Sequence, residues 1–346
     1  MNDWPVLQKS VEAVQSTALQ PSWWRRLLQR SHHSKLPPGV YIVIYHSIVE
    51  PNDRQGWEHH YRKGEVTAER FARQLDILSE LMTPIPLSQV PSLWEQGGPD
   101  RPYFVVTFDD GYQNNWRVAH PLVRARGISP AVFVNGAFAE GGVLYRILVA
   151  ILVKTGLASP LALALQEQVP AIPWSREPQL LFDQTKTHYQ AELLETCVEQ
   201  VYRDHVGELV DLNAHLSVDQ VRILQREGWE IGNHTFGHRI LSALSPEAVA
   251  QSIIQNADFW QAHKIPLIPF LAYPCGRAKD VQPFVRDFLQ TTPKIHGLFA
   301  AGGVNLFANQ IEWLRFGLGQ ADDRKTILAA LDREVARTKK AIEHIF

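Results

Sequence analysis

Two short stretches group residue types able to activate water. The first is Thr107-Phe108-Asp109-Asp110-Gly111-Tyr112, two adjacent carboxylates between an apolar run and a glycine. Repulsion between neighbouring carboxylates raises one pKa unless a cation neutralises them. A bound metal would do so, with one aspartate as ligand and the other left as a base. The second stretch is Glu230-Ile231-Gly232-Asn233-His234-Thr235-Phe236-Gly237-His238. Histidines four apart can reach one ion from a helical turn or a compact loop, and Thr235 could orient a ligand by hydrogen bonding. Each stretch alone has an ordinary explanation. Asp and Gly are common in turns and helix caps, and histidines, 14 in this chain, also sit on surfaces and in cores. Together, one carboxylate and two imidazoles leave coordination positions open, as in metal-assisted hydrolysis.

The elements that would position these residues follow from hydrophobic pattern. Short β-branched or apolar runs predict strands over Val40–Tyr45, Arg101–Phe108, Ala131–Asn135, Trp229–Gly232, Phe270–Tyr273 and Gly297–Ala300, with Trp313–Phe316 as a further core strand. Helical spacing covers Glu69–Leu81, Pro121–Arg126, Val218–Glu227, Pro246–His263, Val281–Leu289 and Lys325–Ile345. Alternating strands and helices argue for an α/β domain with a parallel sheet or barrel, and sites in such folds gather at strand ends. Residues 140–215 break the alternation and are helical in character, so they form an insertion. Within it, Leu144–Leu165 is a buried or interfacial helix pair, interrupted by Lys154, Gly156, Ser159 and Pro160. The expected organisation is an N-terminal appendage (1–36), a catalytic domain (37–320) and a C-terminal helix (321–346).

Formal net charge is −2 over 346 residues, which gives no sign of a nucleic-acid partner. Two cysteines, Cys197 and Cys275, supply no disulfide framework. The N-terminus lacks the pattern of a secretory signal and no run is apolar enough to span a bilayer, so the expected location is cytoplasmic. Ser22-Trp23-Trp24-Arg25-Arg26-Leu27-Leu28 either docks its tryptophans on the domain or lies on the inner membrane face.

TFDDGY, EIGNHTFGH and the later FLAYPCG resemble, in order and context, the motifs of the polysaccharide deacetylase (NodB-homology) family of carbohydrate esterases. The similarity spans about residues 40–318, with the insertion as a gap. It implies a distorted (β/α)7-type barrel and metal-dependent removal of N-acetyl groups from an amino-sugar glycan or glycolipid. By the same resemblance Asp109 is the base, Asp110, His234 and His238 are the metal ligands, and Tyr273-Pro274-Cys275 line the groove. The Cys275 backbone N–H could bind the oxyanion, although Cys275 could also be a plain buried small residue. The donor set suits one divalent ion, zinc first, and also accepts cobalt, nickel, iron or manganese.

The sequence departs from the family in two ways. Ala272 stands where the third motif has an arginine that holds the base, and Cys275 where it has an aromatic. Arg315 could replace that arginine, though nothing in its spacing requires it. The late Leu-x-x-His motif that carries the general acid is missing. Ile44-Tyr45-His46-Ser47 resembles the early Tyr-His strand of the poly-N-acetylglucosamine deacetylase branch, which makes His46 the candidate acid and His296 its competitor. Two other readings stay open: a deformylase or other amidase acting on a lipid-linked sugar, and a NodB-like sugar-binding module without chemistry.

Overall fold

The computed structural model describes residues 36–343 except 51–56, 58–64, 190, 292–294 and 308–310. The Trp-Arg segment near the N-terminus lies outside these residues. The strands, in chain order, are β1 (Gly39–Tyr45), β2 (Ile48–Val49), β3 (Val66–Thr67), β4 (Thr83–Pro84), β5 (Pro102–Phe108), β6 (Ala131–Val134), β7 (Glu230–Asn233), β8 (Phe270–Ala272), β9 (His296–Leu298) and β10 (Glu312–Trp313). One parallel sheet runs in the order β1-β5-β6-β7-β8-β9-β10, with β4 beside β5. It curls until the chain after β10 meets β1 again. Phe316 bridges Val43 in parallel, with its N–H donating to Ile42 O at 3.1 Å and its carbonyl accepting from Ile44 N–H at 3.0 Å. This is the distorted barrel of the NodB kind.

Parallel strands are buried on both faces, so their sequences read as continuous apolar runs. Period-two alternation still sorts the side chains. Val40, Ile42, Val105, Phe133, Phe270, Ala272, Leu298 and Trp313 pack inside the barrel. Tyr41, Val43, Phe104, Val106, Phe108, Val132 and Ile231 face the outer helices. Those helices include α1 (Ala68–Leu81), α6 (Val218–Arg226), α7 (Pro246–Ala262), α8 (Pro283–Thr291) and α9 (Arg324–Glu343). Their starts are written in the sequence: Thr67, Ser217 and Ser245 each accept a backbone N–H as N-cap, and Ser217 with Gln220 forms a capping box.

Between β6 and β7 four helices stack on their own core: α2 (Tyr145–Lys154), α3 (Ala158–Gln168), α4 (Pro178–Thr187) and α5 (Ala191–His205). The apolar run of α2 is buried from Tyr145 through Val153, which explains why it carries no polar stripe. No helix among the described residues is long and apolar enough to cross a membrane.

Candidate metal centre and active site

The strand ends build the site by a simple rule that is broken at chosen points. In β5, Val105 and Thr107 point inward, so Asp109 continues the inner face. Alternation would send Asp110 outward. It does not, because Asp110 takes a left-handed backbone (φ 69°) and Gly111 follows with φ 56°. The turn brings both carboxylates to one side. Six non-glycine residues among those described have positive φ, and four of them, Asp110, Thr235, His238 and Cys275, lie in the site motifs. Such conformations cost about 1–3 kcal/mol each and concentrate where surrounding structure enforces them.

The enforcement is visible. A buried amide network, Asn135, Asn233 and Asn256, locks the loop after β7. Asn135 Nδ2 donates to the carbonyls of His234 (2.6 Å) and Thr235 (2.8 Å). Asn256, from α7, donates to Val134 O (2.9 Å) and Asn233 Oδ1 (2.8 Å), and accepts from Gly136 N–H (2.7 Å). Asn233 Oδ1 accepts from Thr235 N–H (2.8 Å). Gly232 has to be glycine, since a Cβ there would stand 2.3 Å from the Phe133 ring. The Asp-Asp-Gly turn is clamped from the other side by residues 214–216. Gln113 N–H bonds Ala214 O and Leu216 N–H bonds Gly111 O. His215, buried, donates from Nδ1 to the Asp110 carbonyl (2.9 Å) and accepts at Nε2 from Leu144 N–H (3.3 Å). Its ring is stacked with Tyr112 and Phe138. Burial lowers its pKa to about 4, outweighing the bond to Asp110.

Asp110, His234 and His238 converge, all buried, with one ligand atom of each within 4.8 Å of the others. Asp110 Oδ1 lies 3.2 Å from His234 Nε2 and 3.0 Å from His238 Nε2. A tetrahedral ion with bonds of about 2.0–2.1 Å separates its ligand atoms by about 3.3 Å, so this donor set fits one. His234 Nδ1–H donates to Ala272 O (2.8 Å), which leaves Nε2 aimed at the ligand cluster. Burial acts against the Asp110 charge, but His238 and His234 hold its pKa well below the usual carboxylate range. His234 is shifted the other way: burial opposes its charge, and Asp109 and Asp110 raise its pKa on balance.

Arg315 is the residue whose part the spacing did not specify. Trp313 points inward, so Arg315, two residues on, does too. The interior that a side chain at Ala272 would enter is the one Arg315 occupies. Its Nη1 and Nη2 each donate to one Asp109 oxygen at 2.7 Å, and Nε donates to Phe299 O at 2.9 Å. Both partners are almost fully buried. Burial raises the Asp109 pKa, yet Arg315 first and His234 next bring it below its ordinary value.

The remaining expected residues divide. His46 extends the inward series Val40, Ile42, Ile44, lines the same cavity as Asp109, and its charge helps lower both aspartates. His296 opens β9, at the opposite end of the strands, beside Phe270 and Trp313. Cys275 lines the cavity; Tyr273 and Pro274 do not. Tyr273 falls on the outward parity, packs on Phe299 and donates its hydroxyl to buried Glu312 at 3.0 Å. The buried hydroxyl of Thr235 has no hydrogen-bond partner among the described residues. The turn at Cys275 (φ 62°) and Gly276 (φ 58°) passes so near Ala300 that a Cβ on Gly276 would stand 2.5 Å from its nitrogen. The cavity holds about 450 Å³, room for a sugar residue and its substituents.

A parallel barrel with such a cluster at the carboxyl ends of its strands sets the class, a hydrolase-type site on an α/β scaffold. The polysaccharide deacetylase family model matches residues 96–283, just over half of the chain, and the chain belongs to that family. The fold is similar to that of Streptococcus pyogenes deacetylase PplD, solved with acetate (15% identity, 86% of this chain and 99% of that one, TM-score 0.54). It is also similar to IcaB from Ammonifex degensii (17%, 86% and 99%, 0.53) and to a de-N-acetylase from Aggregatibacter actinomycetemcomitans (14%, 83% and 99%, 0.53). At these identities the likeness is one of fold. No curated protein sequence matches the chain.

Proposed function

We propose that this chain is a metal-dependent de-N-acetylase of an N-acetylated amino sugar, free, polymeric or lipid-linked. The observation that carries the reading is the buried Asp110–His234–His238 cluster beside the Arg315-paired Asp109 at one cavity. Asp110, His234 and His238 would hold the ion. When bound, a divalent cation polarises the amide carbonyl and makes water a stronger nucleophile at neutral pH. Asp109 accepts the proton of the attacking water through its carboxylate, while Arg315 fixes both oxygens in place. The backbone N–H of Cys275, in a left-handed turn at the cavity, would stabilise the developing oxyanion without needing a particular side chain. His46 protonates the departing amine, and the products are acetate and a free amino sugar. The neighbours solved as deacetylases support the reaction class.

The test is acetate release from acetylated amino sugars by purified protein, with and without chelator, coupled to metal analysis. Chelator-sensitive acetate release supports the reading. Formate release from an N-formyl sugar in its place would redirect it to a deformylase. Neither product, with no metal bound, would leave a sugar-binding module.

A further inference from the structure

Besides the reacting residues, the catalytic cavity is lined by two side chains of like charge, Lys186 and Arg277, from distant parts of the chain. We propose that Lys186 and Arg277 select an N-acetylated amino sugar bearing an anionic group, a phosphate ester or a carboxylate, beside the acetamido group. The inference rests on the deacetylase reading above and specifies its substrate class.

Three observations carry it. First, the acids on the cavity floor are committed: Asp109 to Arg315, and Asp110 to the two histidines. Among the described residues, Glu65 is the remaining carboxylate in the lining. Second, the helix that carries Lys186 is braced. It lies in the last turn of α4, and buried Arg146 of α2 grips that turn, donating to Phe182 O and to Thr185 Oγ1 (2.9 Å) with its guanidinium 3.6 Å from the Phe182 ring centre. The insertion thus presents a cation to the reaction cavity from a braced helix. Third, Arg277 follows the strained Cys275–Gly276 turn directly, and its N–H is tied to Asp280 Oδ2 at 3.2 Å. A phosphate or carboxylate would take charge-assisted hydrogen bonds from both.

The experiment compares KM and kcat of the metal-loaded full chain on N,N′-diacetylchitobiose, N-acetylglucosamine 1-phosphate and a disaccharide of N-acetylglucosamine and glucuronic acid. Wild type is expected to show a KM about tenfold lower for one of the anionic substrates. Lys186→Ala/Arg277→Ala should raise that KM about tenfold or more, keep kcat within about twofold, and leave the neutral substrate's KM unchanged. The preferred arm identifies phosphate or carboxylate. Equal KM values for neutral and anionic substrates, or equal losses on both in the variant, would overturn the inference while leaving deacetylation standing. If no substrate releases acetate, the deacetylase reading fails. Calorimetric binding of N-acetylglucosamine 1-phosphate and of the acidic disaccharide, each against N-acetylglucosamine, in wild type and variant then decides the anion preference on its own. Tighter binding of either anionic sugar that the variant loses supports it, and equal binding overturns it.

Discussion

Asp109 sits in the interior with Arg315 as its counter-charge, and the two cannot be separated cheaply. Arg315→Met leaves a buried carboxylate unpaired, which should cost about 3–5 kcal/mol of stability and raise the Asp109 pKa. Chemical denaturation of the variant measures the first effect. The second should appear as an acidic limb of the kcat/KM profile shifted to higher pH. Pairing Arg315→Met with Asp109→Asn should recover most of the lost stability, since the orphaned charge is then gone. Asp109→Asn alone should abolish turnover while metal content stays near that of wild type, and wild-type activity in it would remove Asp109 from the mechanism. Little of this pair was legible beforehand. The partners are 206 residues apart, and the motif that marks such an arginine in the family is filled by Ala272. The one available signal was alternation in Trp-Leu-Arg-Phe, which puts Arg315 on the side of Trp313.

At the scale of elements, the Asp-Asp-Gly turn depends on a clamp that comes after the inserted helices. His215 joins the Asp110 carbonyl to Leu144 N–H at the start of α2, so the insertion and the proposed metal ligand share one imidazole. His215→Ala should weaken zinc binding by about 10–100-fold, the usual range for groups that orient a ligand, as titration against a competing chelator would show. Near-wild-type affinity would reduce His215 to packing. The strands themselves were readable, β1 and β5 within a residue at their starts, because both faces are buried and apolar runs leave little ambiguity. What pattern could not give was the left-handed backbone at Asp110, Thr235, His238 and Cys275. At Asp110 and Thr235 those angles are held by hydrogen bonds from distant parts of the chain, which periodicity does not reveal. The outward turn of Tyr273 was missed for a related reason, since a family motif fixes neighbours in sequence but not which face each one takes.

For the whole molecule, a bound metal ion would compete with protons for one cluster. His234 has a raised pKa, so without metal it adds stability at pH below the ordinary histidine value, and that contribution fades as pH rises through its folded pKa. Asp109 and Asp110 have lowered values, so their contribution is present above the ordinary carboxylate value near 4 and is lost as pH falls through their folded pKa values. Metal binding requires neutral imidazole. The stabilisation caused by zinc, read as a rise in Tm, should therefore grow from pH 5 to pH 8, and at a hundredfold excess over Kd it amounts to about 2.7 kcal/mol. A zinc effect that shrinks over this range would argue against His234 as a ligand. Calorimetry in buffers of different ionisation enthalpy should also show proton release on binding.

The barrel closes through Phe316 on Val43, within the first barrel strand and just after the last. On the ribosome this means that the site is completed late. His46 and Asp109 are made early, but the guanidinium that neutralises Asp109 follows it by 206 residues. Until then the nascent barrel carries an open edge and an uncompensated acid at its centre, a state prone to misassociation. A chain stopped before Arg315 should accumulate in aggregates or on chaperones.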